Sequence, residues 1–70
     1  MNANLLRGCI IAKGFSLQTF SEAVRIKRTA LYRKLIGKTE FSCSEISRII
    51  LTLDLTTDQI MSIFFSQQVS

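Results

Sequence analysis

One six-residue pattern occurs twice in this chain, and it marks the start of a helix each time. The segments are Phe41-Ser42-Cys43-Ser44-Glu45-Ile46 and Leu55-Thr56-Thr57-Asp58-Gln59-Ile60. In each, a hydroxyl residue (Ser42, Thr56) stands three places before a Glu or Gln (Glu45, Gln59), the spacing of a reciprocal capping box. The apolar residues on either side, Phe41 with Ile46 and Leu55 with Ile60, stand where a hydrophobic staple closes. Asp58 lies in a first helical turn, where a negative charge meets the positive end of the helix dipole. A partial version, Phe15-Ser16-Leu17-Gln18-Thr19-Phe20, places a third start at Ser16. Local starts this explicit leave little room for a sheet.

The apolar spacing agrees. Leu6 and Ile10, then Leu17, Phe20 and Val24, then Leu31 and Leu35, then Ile46, Ile49, Ile50 and Leu53, then Ile60, Ile63 and Phe64 recur at helical intervals, and no stretch alternates strictly. Proline is absent, so glycine and capping residues make the breaks. Gly14 and Gly37 read as left-handed ends of the first and third helices. The helices predicted are roughly 4–13, 17–24, 28–36, 43–53 and 57–66, joined by short connections that suit a compact bundle. The fold expected is all-α, one five-helix domain over residues 1–70.

Seventy residues bury only about 60% of the unfolded surface, so such a domain depends on good local signals or a partner. Apolar residues make up 47% of the chain, which argues against disorder. The apolar runs fall far short of the roughly 18 residues of a membrane span. MNANLLRG has no cationic start followed by a long apolar run, so it does not read as a signal peptide. The compartment expected is the cytoplasm, without membrane association.

Catalytic and metal chemistry find no apparatus. There is no histidine, and the only cysteines, Cys9 and Cys43, fall in different predicted helices, where they read as a reduced pair of small apolar residues. Two distant cysteines without histidine do not make an ordinary zinc site, and a cysteine nucleophile would lack its imidazole base. The five acidic residues are scattered and no glycine-rich phosphate loop is present. The chain is read as a non-enzyme with no catalytic residue, metal, cofactor or evident small-molecule ligand.

Charge is where the chain is distinctive. The net charge is +4, and six of the nine basic residues lie in Arg25–Lys38, RIKRTALYRKLIGK, which holds no acid. Ile26, Leu31 and Leu35 in the same stretch can be buried while the cations face outward. The turn before it, Arg25 to Lys27, is very short. Two helices joined this tightly, the second cationic and stapled by Ile26 and Leu31, describe a helix-turn-helix. Its second helix is the one placed in the DNA major groove. The N-cap position of that helix holds Lys27, whose ammonium cannot accept a bond from the helix amides. Water, a neighbour or a bound anion can take that role, and an anion would also meet the charges of Lys27 and Arg28.

Residues 5 to 65 resemble the Cro/repressor-type helix-turn-helix domains of the XRE family, common in phages and in bacteria of low genomic GC. The residues that carry the resemblance are Gly14-Phe15-Ser16, Phe20, Val24, Ile26, Arg28-Thr29, Leu31, Arg33-Lys34-Leu35, Gly37-Lys38, Phe41-Ser42 and Leu53-Asp54-Leu55. The resemblance implies a lambda-repressor-like five-helix domain whose third helix reads DNA through Arg28, Thr29 and Arg33, with Tyr32 on the same outward face. Arginine bonds guanine O6 and N7 together, and a threonine methyl meets the thymine methyl. Each arginine can instead hold a phosphate or stay solvated, and Tyr32 can instead pack on the domain surface. Phosphate contacts are expected from Ser16, Lys27, Lys34, Lys38 and Thr39, which set register without reading sequence. Arg7, Lys13 and Arg48 are expected to be ordinary surface charges.

Three positions depart from the family pattern. Leu17 replaces the frequent glutamine that touches a phosphate, so that contact is lost. Arg25 stands at the usual turn glycine, and Ser21 at the small alanine inside the second helix.

The last helix, TDQIMSIFFSQQVS, carries more apolar surface than one face uses. Met61, Phe64 and Phe65 are therefore expected to form a homodimer surface, although all can instead pack on their own core. Such a dimer places two reading helices about 34 Å apart, one DNA turn. The function expected is a transcriptional regulator, Cro- or repressor-like, binding a palindromic operator in double-stranded DNA. The alternative is a protein-interaction module on the same scaffold, such as an antirepressor, an antitoxin or an inhibitor of a host nucleic-acid enzyme.

Overall fold

In the computed structural model, which describes residues 1–65, the helices are α1 (Ala3–Ala12), α2 (Leu17–Val24), α3 (Arg28–Leu35), α4 (Cys43–Leu53) and α5 (Thr57–Phe64). No strand occurs among the described residues. The all-α, five-helix expectation therefore holds, and the ends of the elements lie close to those read from the sequence. The expected end of the last helix, residue 66, lies outside the described residues.

The starts form as their sequences dictate. The Ser42 hydroxyl accepts from the Glu45 amide at 3.2 Å, and the Glu45 carboxylate accepts from the Ser42 amide at 2.7 Å. Thr56 and Gln59 make the same exchange at 3.1 and 2.9 Å. The partial box at Ser16 is completed by Thr19, whose hydroxyl accepts from the Ser16 amide at 2.8 Å. The start of α1 is capped by Asn2, whose side-chain oxygen accepts from the Leu5 amide at 3.1 Å. Its backbone amide also donates to the Ile63 carbonyl at 2.7 Å, fastening the first helix to the last.

Four helix ends share one geometry. After α1, α2, α3 and α4 the chain turns through a left-handed residue, namely Gly14, Arg25, Gly37 and Asp54. In each case the next amide reaches back five residues, as in Ile26 to the Ser21 carbonyl and Lys38 to the Arg33 carbonyl, which is the Schellman arrangement. Three of these turns are followed by an apolar residue packed on or in the core, Phe15, Ile26 and Leu55. The fourth is followed by Lys38, exposed, so the chain leaves α3 on a cationic residue.

Arg25 has φ 59° and ψ 40°, and a side chain there costs roughly 1 kcal/mol. Glycine relieves that cost but loses more backbone entropy on folding. Arg25→Gly is therefore expected to stabilise the domain by about 0.5 kcal/mol, raising Tm by roughly 2–4 °C in a thermal melt. A lower Tm would mean that the Arg25 side chain stabilises the fold by more than its backbone costs.

Every helix contributes to one core, with Leu6, Phe20, Leu31, Ile49, Leu53 and Ile63 at its centre. α2 packs on α3 and α4, and α1 on α5. Ser21 is buried with its hydroxyl donating to the Gln18 carbonyl at 2.7 Å, so the extra polar atom is satisfied within its own helix.

Phe64 corrects one reading of the last helix. It is half-buried, packed on the core, with its ring edge-on to Phe41 at 6.4 Å between centroids. Its place is at the margin of the core rather than on an outer surface. Met61 and Phe65, 54% and 58% exposed, are the large apolar side chains that α5 turns outward.

Candidate nucleic-acid interface

Burial orients the cationic helix. Ile26, Leu31 and Leu35 face the core, at 5%, 0% and 4% exposure. Arg28, Thr29, Tyr32 and Arg33 consequently lie on the solvent side, and all four are exposed. Among the described residues neither arginine is held in an ion pair. The α2–α3 turn is short because the left-handed Arg25 reverses the chain at once and Ile26 plugs back into the core.

Lys27 leads α3 with φ −57° and ψ 142°, and no side chain caps the helix. The other four starts all carry a side-chain cap. The first amides of α3 thus have no side-chain acceptor, and Lys27 and Arg28 beside them are exposed, which is a favourable place for an anion. Ser16, Lys38 and Thr39 are exposed as well.

Lys34 departs from the expected set. Its ammonium lies 3.1 Å from the Glu45 carboxylate, donates to the Glu40 carbonyl at 3.1 Å, and sits 5.9 Å from the centre of the Phe41 ring. The last turn of α3 packs beside the first turn of α4, where the capping carboxylate is already fixed. Lys34 is therefore a tie between the two helices, and its use on a phosphate requires breaking that tie.

Glu45 is held below its ordinary pKa of 4.5, chiefly by the hydrogen bond from the Ser42 amide; burial opposes the shift, and the hydrogen bond and charge of Lys34 lower it further. A carboxylate lowered on folding contributes stability that is complete above its unfolded pKa and is lost as pH falls through the folded value. The stability advantage of the native chain over Glu45→Gln, measured by urea unfolding, is expected to shrink as pH drops below 4.5. A gap of equal size at pH 7 and pH 3 would contradict this.

Arg48 also departs from its reading as an ordinary surface charge. It is half-buried, and its Nε donates to the Val24 carbonyl at 2.7 Å. That carbonyl belongs to the last residue of α2, just before the turn, so Arg48 braces the helix-turn-helix from α4. Its partner lies 24 residues away in the chain, and no local pattern announces it.

Tyr32 is 50% exposed and combines both placements open to it. One side of it borders a cleft of about 250 Å³ between α1, the start of α2 and α3. Leu17, Phe15 and Ile11 line the same cleft, so its wall is apolar beside Ser16. Thr39 borders a separate hollow near the N-terminus, shared with Lys34 and Phe41.

Among the described residues, no group of three or more acidic, cysteine or histidine side chains is placed to hold a metal ion. No described helix is long and apolar enough to cross a membrane. Cys9 and Cys43 are free thiols, the first half-buried and the second exposed at the start of α4. No family model matches the chain, and searches of curated proteins and of solved structures returned no match.

Proposed function

We propose that this chain is a sequence-specific regulator of the Cro/repressor helix-turn-helix type, binding double-stranded DNA as a homodimer in the cytoplasm. The observation that carries the reading is the split of α3. Its apolar residues are buried, while Arg28, Thr29, Tyr32 and Arg33 project together from a short helix whose first amides lack a side-chain cap. A helix offering Arg28 at its start, Arg33 farther along the same outward side and amides without a side-chain cap suits base edges and phosphates in one groove. Lys27, Lys38, Ser16 and Thr39 supply the backbone contacts in this reading. Met61 and Phe65 on α5 supply the contact between two copies, with the reading helices about 34 Å apart.

Single substitutions separate the two kinds of contact. Arg33→Ala is expected to cost roughly 1–3 kcal/mol on the preferred duplex and to relax preference at one base position. Lys38→Ala is expected to weaken all duplexes alike and to reduce the salt slope. Fluorescence anisotropy on a panel of single-base variants reads both. If Arg33→Ala weakened every duplex equally, Arg33 would be a phosphate contact rather than a reader.

A further inference from the structure

The cleft beside Tyr32 does not suit DNA. Ser16, Arg7 and Tyr32 stand among its lining, but most of its wall is Ile10, Ile11, Phe15, Leu17 and Leu35, against which a sugar-phosphate backbone has nothing to place. Ile11 is 72% exposed at its edge, a large aliphatic side chain left in water on α1. The volume, about 250 Å³, lies below the roughly 300–1,000 Å³ of ordinary small-molecule pockets. It suits the apolar anchor side chains that a helix lays into a groove. The charge around it has one sign. Arg7 is the charged residue of the lining and no carboxylate joins it. Arg28 stands one helical turn before Tyr32 and adds a second cation on that side of α3.

We propose that this cleft docks an acidic amphipathic helix of a partner protein, with apolar anchors against Ile11, Leu17 and Tyr32 and a carboxylate on Arg7. An apolar wall selects for anchors, and the arginines select for acidic residues on the flanks of the same helix. The docking does not depend on DNA binding, and its test contains no DNA.

The test is a selection from a displayed library of 16-residue amphipathic helical peptides, with apolar positions varied among Leu, Ile, Phe and Ala and flanking positions among Glu, Gln and Lys. Enriched peptides are expected to carry Glu over Lys on the flanks and to shift the amide resonances of Ile11, Leu17 and Tyr32. Ile11→Asp, at an exposed site that keeps the fold, is expected to weaken them roughly tenfold or more. Arg7→Glu is expected to turn the preference toward Lys. No enrichment, enrichment without charge preference, or shifts confined to other surfaces would overturn the proposal. So would Ile11 and Leu17 resonances that depend on protein concentration alone, since the occupant would then be a second copy of this chain.

Discussion

Raising the salt from 50 to 200 mM is expected to weaken duplex binding by roughly 10²-fold. The magnitude follows from counting cations free to meet the duplex. Lys27 and Lys38, the exposed cations assigned to phosphates, give two per chain and four for two copies. With a log–log slope of about −0.9 per phosphate contact, four contacts lose about 10²-fold in affinity over this range. Lys34 is left out of the count because Glu45 and the Glu40 carbonyl already hold its ammonium. A titration by fluorescence anisotropy reads the slope directly. A loss of less than about tenfold would show that the cationic face is not neutralising phosphates.

Phe20→Ala is expected to unfold the domain or nearly so. Phe20 is fully buried in α2 and meets Phe15 edge-on at 5.6 Å. Truncating a buried phenylalanine costs about 3–5 kcal/mol. At about 0.05–0.15 kcal/mol per residue, a 70-residue chain has a total stability of only about 4–10 kcal/mol. Tm should fall by at least about 12 °C, or the thermal transition should vanish. Phe65→Ala is the matched control. That ring is 58% exposed, and its loss should change the stability of the isolated chain by about 0.5 kcal/mol or less. Equal effects from the two substitutions would mean that Phe65 packs on the core as firmly as Phe20.

What could be read from the sequence was local in origin. Helix starts at Ser42 and Thr56 are legible because both halves of each capping box lie within four residues. Gly14 and Gly37 mark ends because the left-handed backbone there favours glycine. The outward face of α3 follows from the placement of Leu31 and Leu35. What escaped depended on contacts between helices. Thr19 completes a box with a hydroxyl in place of the usual Glu or Gln. Arg48 looks like any surface cation until α4 is packed behind the turn. Arg33 and Lys34 are adjacent cations in the sequence, yet one is open to solvent and the other is tied to α4. A weak signal for the second was present, since Lys34 follows Leu31 by three residues and so borders the buried face. Phe64 differs from Phe65 in the same way, by which side of α5 meets Phe41.

The cleft and the reading face share the neighbourhood of Ser16 and Tyr32. Leu17, at the position where the domains this chain resembles often have a phosphate-touching glutamine, belongs to the wall of that cleft. The departure from the resembled pattern and the apolar surface are thus one feature. In the proposed complex, loss of a phosphate contact there leaves Lys27, Arg28, Arg33 and Lys38 to hold the duplex.

Selection of bound duplexes from a random pool by the purified chain decides whether α3 reads DNA sequence. One enriched motif is expected, built of two inverted half-sites with centres about one helical turn apart, containing guanines that lose their selection in Arg33→Ala or Arg28→Ala. Recovery of unrelated sequences with flat affinity, or no duplex retained even at low salt, would contradict it.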